Sequence, residues 1–102
     1  MYALGIDGGG SRTRALLCDA YGQIIGQGLS GGTNPRTSSA AELKLHLQEA
    51  IEQATRSIDC SKIIAAHFGL AGAGEAETKA KVRTITKELL SEQTTCTIGH
   101  DL

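Results

Sequence analysis

The 102-residue sequence lacks several features that mark particular classes of protein. Ten lysine and arginine residues stand against 11 aspartate and glutamate residues, so there is neither a basic excess to bind nucleic acid or an anionic membrane nor an acidic tail. The N-terminus reaches a charged residue by Asp7 without a basic segment or an apolar signal core, and no later run approaches the length of a membrane span. These absences favour a soluble, cytoplasmic protein whose partner is a small molecule rather than nucleic acid or a membrane.

Cysteine is also sparse. Cys18, Cys60 and Cys96 are odd in number and widely spaced, and no CxxC pair is present. This pattern is typical of reduced thiols and disfavours a disulfide framework, a zinc site or an iron–sulfur site. Internal repeats and low-complexity tracts are absent as well, so the length and the 40% hydrophobic content predict one domain with one modest core.

Glycine is abundant by contrast. Thirteen glycines accompany a single proline and no tryptophan, and they concentrate at residues 5–10, 22–32 and 69–74. The first cluster, in GIDGGGSRT at residues 5–13, directly follows a short apolar run. Glycine has no Cβ, so three in a row allow unusual backbone conformations and the close approach of a ligand. The stretch is either a loose turn or a cradle for an anion.

The hydrophobic pattern predicts an α/β fold with the order βββαβαβ. Residues 2–7, 13–18 and 23–29 are three short strands in a meander. A helix begins at a capping box in residues 39–42 (SAAE) and carries an apolar stripe that continues to Ile58. A strand at 63–70, a helix at 75–90 and a strand at 94–98 complete the order.

Chain connections predict how these strands pair. Short turns make the first three strands antiparallel, whereas helical crossovers make the first, fourth and fifth parallel. The result is a five-stranded mixed sheet with the first strand at its centre and helices packed on its faces. Ligands of open α/β sheets bind beyond the carboxyl ends of parallel strands, which would bring Asp7, residues 69–74 and Asp101 to one crevice.

The residues around the first glycine cluster could bind phosphate. Backbone N–H groups, hydroxyls and a guanidinium are available as ligands, on Gly8, Gly9, Gly10, Ser11, Arg12 and Thr13. Asp7 adds a carboxylate for a Mg²⁺ ion that bridges phosphates, directly or through water. The stretch is not a Walker loop, because GxxxxGK[ST] is absent, and not a dinucleotide fingerprint, because it leads into a strand and not a helix.

The stretch around the first glycine cluster resembles a motif of a known family. DGGGSRTRALLCD at residues 7–19 resembles the first phosphate motif of the superfamily of sugar kinases, heat-shock ATPases and actin. The DGGG form is similar to the BadF/BadG/BcrA/BcrD ATPase family, which includes N-acetylglucosamine and glucosamine kinases. The order βββαβαβ is that of the N-terminal ribonuclease H-like domain of the superfamily. The resemblance implies an actin-like ATPase lobe that uses ATP and Mg²⁺.

Three further segments carry the resemblance along the chain. Residues 30–34 (SGGTN) resemble a glycine-rich stretch ending in an asparagine that contacts the sugar, and residues 68–72 (FGLAG) resemble a turn that lines the cleft. Residues 99–101 (GHD) resemble a segment whose aspartate is the catalytic base. The resemblance thus implies a catalytic role for Asp101 and substrate contacts from Asn34, Ala71, Gly72 and Asp101. From residue type alone, a turn-capping Asn34 and a solvated Asp101 are the better interpretations.

Some positions depart from the family pattern. Ser11 stands where threonine is commoner, Arg12 where lysine is frequent, and His100 where the kinases usually have asparagine, which puts the substrate in question more than the fold. Activators of 2-hydroxyacyl-CoA dehydratases carry cluster-binding cysteines and a DVGS-type loop, and neither is visible here. An amino-sugar kinase is therefore the preferred hypothesis. A non-sugar ATPase or regulatory switch, such as an activator of that type or of benzoyl-CoA reductase, is the alternative.

The resemblance also implies a missing partner lobe. Kinases of this superfamily close two lobes on a nucleotide, and residues 1–102 correspond to the N-terminal one. We expect the chain alone to be almost inactive, and its exposed crevice surface to favour a homodimer. Among side chains outside the motifs, we expect His46 and the helical lysines, Lys81 included, to face solvent, and His67 to be a core histidine.

Overall fold

The computed structural model describes residues 1–99 and confirms the predicted order of elements. The strands are β1 (Tyr2–Gly8), β2 (Arg12–Cys18), β3 (Ile24–Gly31), β4 (Ile63–Leu70) and β5 (Thr95–Gly99). The helices are α1 (Ala40–Ala54) and α2 (Ala76–Leu89), with one short 3-10 turn at Cys60–Lys62. His100, Asp101 and Leu102 lie outside the described residues.

The sheet has the predicted topology. Its strand order is β3-β2-β1-β4-β5, so β1 lies at the centre. The β1–β2 and β2–β3 pairs are antiparallel, and β4 is parallel to both β1 and β5. The carboxyl ends of β1, β4 and β5 therefore share one edge of the sheet, as the helical crossovers required.

Both described helices pack on one face of the sheet. Alternate strand residues face them and form a single core with the apolar stripes of α1 and α2, and its fully buried members include Ile6, Leu17, Phe68, Leu70, Leu43, Leu47 and Val82. The intervening strand residues lie on the other face, which carries Asp7, Arg14, Gln27 and His67 and which neither helix covers. We call this second surface the helix-free face.

The start of α1 matches its sequence signal. The Ser39 hydroxyl accepts the Glu42 N–H at 3.1 Å, and the Glu42 carboxylate accepts the Ser39 N–H at 3.2 Å. This reciprocal pair is a complete capping box. The helix ends at Ala54, earlier than the apolar stripe indicated, and Ile58 packs against the core from the segment after it.

Helix α1 lies unusually close to β3 because two glycines face it. A Cβ at Gly26 would collide with the carbonyl oxygen of Ala54, and one at Gly28 with that of Ala50. Glycine is needed at both positions for this backbone-to-backbone approach. The second glycine cluster of the sequence thus serves packing in part, in addition to the turn at Gly22, whose φ is +81°.

The state of the cysteines and the character of the helices can be compared with what the composition predicts. Cys18, Cys60 and Cys96 are free thiols, each partly exposed, and burial raises the pKa of Cys96. Within residues 1–99, no helix combines the length and the apolar character needed to cross a bilayer.

Candidate functional site

Three glycine-rich segments meet at one end of the sheet. They are residues 8–10 at the end of β1, residues 31–34 at the end of β3, and residues 71–73 after β4. The Gly8 carbonyl accepts the Ala71 N–H at 2.8 Å, and the Gly9 carbonyl accepts the Thr33 N–H at 3.0 Å. The first glycine loop is thus held from both sides by the two segments that the sequence assigned to substrate contacts.

The glycines of the first loop are needed for space more than for conformational freedom. Gly8, Gly9 and Gly10 all lack the positive φ that glycine permits. A Cβ at Gly8 would collide with the Thr33 hydroxyl, and a Cβ at Gly32 would collide with the Gly10 carbonyl. The loop and the 31–34 segment therefore pack main chain against main chain, which a larger residue would prevent.

The tip of the first loop is its accessible part. The Gly9 N–H donates to the Arg12 carbonyl at 2.9 Å and closes the base of the turn, so this amide is already satisfied. Gly8 is buried at the end of β1. Gly10 and Ser11 form the exposed tip, and a Cβ on Gly10 would meet no atom within 4 Å. Of the predicted anion ligands, the tip residues and Arg12 are those that a phosphate can reach.

Thr13 does not reach the surface, contrary to its predicted role as a phosphate ligand. Its side chain is fully buried and donates to the Gly31 carbonyl at 2.7 Å. Its oxygen also lies 2.7 Å from the hydroxyl of Thr33, which is equally buried. The period of two along β2 explains the difference, because it places Arg12 and Arg14 on the exposed side and Thr13 inside. Thr13 joins β2 to the 31–34 segment.

A polar groove opens on the helix-free face beside the glycine loop. It has a volume of about 540 Å³ and is lined by Asp7, Gly9, Ser11, Arg12, Arg14, Gln27 and Leu29. Asp7 is paired with Arg14 in the register of β1 and β2. One carboxylate and two guanidinium groups thus face the same space, and guanidinium groups bind phosphate oxygens in a bidentate manner.

Arg14 and Gln27 are groove residues that the sequence analysis missed. The signal was the strand alternation that also buries Thr13, since it places Arg14 on the same side as Arg12. Gln27 follows because Leu16 pairs with it on the same face. The assignment of Gln27 needed the strand register, which motif matching does not supply.

The groove fits a magnesium ion that is bound by phosphate oxygens and water as well as by protein, and not one that is bound by protein side chains alone. Within residues 1–99, no three His, Cys, Asp or Glu side chains cluster as a protein-only metal site would require. Mg²⁺ commonly binds through one carboxylate together with phosphate oxygens and water. Asp7 is exposed in the groove beside Arg12 and Arg14 and fits that arrangement.

The predicted substrate residues Asn34, Ala71 and Gly72 are brought together. Gly72 has a φ of +84°, and a Cβ there would collide with the Asn34 side-chain oxygen. That oxygen accepts the Arg36 N–H at 2.9 Å, so Asn34 caps its own turn, as residue type alone indicated. Its Nδ2 group makes no hydrogen bond to any residue in 1–99 and can donate to a ligand. Asp101 lies outside the described residues.

Two side chains expected in solvent instead hold the 31–38 region. The His46 Nδ1 lies 2.7 Å from the Gly32 carbonyl oxygen, and Lys81 Nζ donates to the Pro35 and Ser38 carbonyls at 3.0 and 3.2 Å. Both side chains are half-buried. The helical pattern shows the apolar stripe and cannot show a loop that folds over the helices from elsewhere.

His67 also differs from its predicted core position. It lies half-buried on the helix-free face, and its Nδ1 is 2.6 Å from the Thr97 hydroxyl. The strand alternation puts Ala66 and Phe68 in the core and turns His67 to the other side. His67 is thus removed from the helix-covered core.

Fold and site together define a class of protein. This βββαβαβ domain, whose central strand leads into a glycine-rich turn, has the ribonuclease H-like fold of actin-like ATPases, as the sequence predicted. A sequence model of the BadF/BadG/BcrA/BcrD ATPase family matches residues 4–100. The chain belongs to this family.

One similar protein is a sugar kinase, and two similar structures carry a provisional assignment of that kind. An N-acetylmuramic acid/N-acetylglucosamine kinase of Clostridium acetobutylicum is 30% identical over 93 residues, which are 86% of this chain and 29% of the relative. A crystal structure from Porphyromonas gingivalis, provisionally assigned as an N-acetylglucosamine kinase, superposes with a TM-score of 0.77 at 20% identity, covering 96% of this chain and 34% of that one. A similarly assigned structure from Chromobacterium violaceum gives 0.68 at 18% identity, with the same coverage.

Proposed function

We propose that this chain is the N-terminal lobe of an ATP-dependent amino-sugar kinase that transfers the γ-phosphate of ATP to a hydroxyl of N-acetylglucosamine or glucosamine. The observation that carries the proposal is the placement of two unlike surfaces on either side of one glycine loop. On one side lies the cationic groove with Asp7, and on the other lies the Asn34 amide, whose oxygen lies against Gly72 and whose Nδ2 makes no hydrogen bond within residues 1–99. Family membership and the similarity to a sugar kinase support it.

The groove residues would hold the phosphates. The Gly10 and Ser11 tip and the Arg12 guanidinium would donate to phosphate oxygens. Asp7 would hold Mg²⁺ through water or together with the phosphates, and the ion would neutralise charge on the transferring group. Because the transition state of phosphoryl transfer is loose, positioning and charge account for most of the catalysis.

The acceptor would lie on the other side of the loop. Asn34 Nδ2 would donate to a sugar hydroxyl or acyl oxygen, and the main chain at Ala71 and Gly72 would line the same cleft. Asp101 would accept the proton of the attacking hydroxyl as general base. This last role is carried over from the family motif and concerns a residue outside the described part of the chain.

The chain spans about a third of the length of the relatives it matches, 29% and 34% in the two first comparisons. The adenine site and most sugar contacts would therefore come from a second, C-terminal lobe. Residues 1–102 alone would show almost no kinase activity. A cytoplasmic location and self-association through exposed apolar surface are further parts of the proposal.

A non-sugar ATPase or regulatory switch is the second candidate, for example an activator of a 2-hydroxyacyl-CoA dehydratase or of benzoyl-CoA reductase. One observation favours it: the side-chain oxygen of Asn34 is occupied within its own turn, so only half of the amide is available to a sugar. Such a protein would use the same phosphate groove without an acceptor site.

The decisive experiment measures transfer of labelled phosphate from ATP to N-acetylglucosamine, glucosamine and N-acetylmuramic acid. It is run on the whole protein encoded by the gene and on residues 1–102 alone. We expect transfer by the whole protein, loss of transfer with retained ATP binding in Asp101→Asn, and almost none by residues 1–102. ATP hydrolysis without any acceptor dependence would support the switch instead, and efficient transfer by residues 1–102 would contradict the missing-lobe hypothesis.

A further inference from the structure

We propose that His46 of α1 and Lys81 of α2 are positioning residues that hold the acceptor side of the site. They bind main-chain carbonyls on both sides of Asn34, and we call this pair the carbonyl clamp. The proposal rests on the proposed function, because it takes Asn34 as the contact to the sugar.

The clamp reaches the loop from two helices. His46 Nδ1 is bonded to the Gly32 carbonyl, two residues before Asn34. Lys81 Nζ donates to the Pro35 and Ser38 carbonyls, one and four residues after it. Because a carbonyl oxygen can only accept, His46 must carry its proton on Nδ1. The two donors therefore fix the main chain immediately before and after the residue that would meet the substrate.

The His46 ring is fitted to its position by shape as well as by its hydrogen bond. A Cβ on Gly31 would come within 2.7 to 3.0 Å of three ring atoms. The ring thus packs flat against the glycine main chain while Nδ1 reaches the next carbonyl. A side chain without a ring would leave a gap under residues 31–32, and any residue larger than glycine at position 31 would displace the ring.

Lys81 completes a turn that Asn34 starts. The Asn34 carbonyl accepts the N–H groups of Thr37 and Ser38, and its side-chain oxygen accepts that of Arg36. These bonds satisfy the donors of the turn and leave the Pro35 and Ser38 carbonyls, which Lys81 binds. Hydrogen bonds from a charged donor are among the stronger ones in proteins. Lys81 therefore fixes the main chain of the 34–38 turn.

A fixed turn matters because Asn34 can donate a hydrogen bond to the sugar only from the correct position. Its side-chain oxygen lies against Gly72 and accepts the Arg36 N–H, so a small rotation of the 34–38 turn would move the whole amide, Nδ2 included, away from the cleft. Misplacement of a substrate by about 1 Å can cost roughly a hundredfold in rate. His46 and Lys81 belong to the helices on the covered face of the sheet, whereas the phosphate groove opens on the helix-free face. Loss of the clamp should therefore weaken binding of the acceptor without changing binding of ATP.

The first test measures amide hydrogen exchange by NMR on the 102-residue chain. In Lys81→Met we expect roughly tenfold faster exchange at Thr37 and Ser38, with the central-strand amide of Phe68 unchanged. In His46→Leu the faster amide should be that of Thr33. Lys87→Met, a lysine on the exposed side of the same helix, should change none of these amides, and Lys81→Arg should restore most of the protection. If Lys81→Met does not fold, Lys81→Gln is measured instead.

The second test measures kinetics of the whole protein. Lys81→Met should raise the KM for the sugar roughly tenfold while the KM for ATP stays unchanged. Uniformly faster exchange, unchanged exchange at residues 33–38, or an equal rise of both KM values would overturn the clamp as a positioning device. If the wild-type protein phosphorylates no sugar, the proposed function fails, and the exchange data still decide whether the clamp holds the loop.

Discussion

The hydroxyl oxygens of Thr13 and Thr33 lie 2.7 Å apart, with both side chains fully buried. The Thr13 proton goes to the Gly31 carbonyl, so Thr33 must donate to Thr13. This short chain of hydrogen bonds connects β2, the end of β3 and the segment that carries Asn34. It also fills the space that Gly8 leaves open, since any Cβ there would collide with the Thr33 hydroxyl.

The direction of this chain predicts an asymmetry between two isosteric variants. Thr13→Val leaves both the Gly31 carbonyl and the Thr33 hydroxyl without a partner, whereas Thr33→Val removes one donor to Thr13. We expect Thr13→Val to cost about 2 to 4 kcal/mol of unfolding free energy and Thr33→Val about 1 to 2 kcal/mol, with the double variant costing less than the sum. Urea unfolding measures all three, with exposed Thr95→Val as control. Equal costs that add would contradict the assigned direction.

Signals that are local in sequence predicted the fold and part of the site. The capping box of Ser39 and Glu42 involves residues three apart, and the strand order followed from connection lengths alone. The parallel topology predicts that the ends of β1 and β4 lie side by side. The hydrogen bond from the Ala71 N–H to the Gly8 carbonyl joins these two ends. These features are predictable because each depends on geometry that short segments impose by themselves.

Interactions between distant segments could not be predicted in this way. The partners of His46 and Lys81 lie 14 and 46 residues away from them, and nothing in a helical pattern identifies which loop will cover it. The hydroxyl of Thr13, within the glycine-rich motif, predicts a phosphate ligand. The strand alternation assigns it to the core, so secondary structure overrides proximity in sequence.

Close packing of α1 on β3 makes Gly28 sensitive to the smallest substitution. In Gly28→Ala the new methyl group would collide with the Ala50 carbonyl, and a helix backbone cannot yield as a side chain can. We expect a loss of at least about 2 kcal/mol. Gly5→Ala is the matched control, because a Cβ there would meet nothing within 4 Å, and it should be neutral or stabilising by about 0.5 kcal/mol. Chemical unfolding decides, and a neutral Gly28→Ala would contradict the close packing.

Arg14 should contribute to anion binding although it lies outside the phosphate motif. It lines the groove with Arg12 and faces Asp7 across the β1–β2 pair. Pyrophosphate titrated into the labelled chain should shift the Gly10 and Ser11 amides, and Arg14→Gln should weaken this binding roughly threefold to tenfold. Arg83→Gln, on α2 and therefore on the other face of the sheet, should leave it unchanged. An equal effect of the two substitutions would show only a general loss of charge.

Glu42 predicts how stability depends on pH. Hydrogen bonds from the backbone and side chain of Ser39 lower its pKa below the ordinary value of 4.5. A lowered folded-state pKa means that the carboxylate stabilises the fold above the unfolded-state pKa, and that this contribution is lost as the pH falls through the folded-state value. Glu42→Gln removes the titration and keeps a hydrogen-bond acceptor.

The wild type should therefore be more stable than Glu42→Gln at about pH 7, and the difference should shrink as the pH falls below 4.5 and through the folded-state pKa. Urea midpoints at several pH values measure it, and the other carboxylates cancel because both chains contain them. Glu92→Gln, at an exposed position without an ion pair in residues 1–99, serves as control. A difference that persists unchanged at low pH would mean that the charge of Glu42 contributes nothing to the capping box.

Gln53 covers part of the open edge of the sheet. Its side-chain oxygen accepts the Leu29 N–H at 3.0 Å, and its Nε2 donates to the Leu29 carbonyl at 3.0 Å. The amide thus occupies both main-chain groups of Leu29, which this position of edge strand β3 would otherwise offer to another strand. Exposed Ile24, Ile25 and Leu29 lie along this strand, and unprotected apolar edges pair with other chains.

Removing that cover should promote self-association. We expect Gln53→Ala to dimerise at protein concentrations roughly tenfold lower than the wild type, because each copy then presents a free donor and acceptor at Leu29. Sedimentation velocity over a concentration series measures the shift, with exposed Glu52→Ala as control. If the wild type forms a dimer and Gln53→Ala leaves its dissociation constant unchanged, association uses a surface other than β3, and the homodimer proposal then rests on the helix-free face.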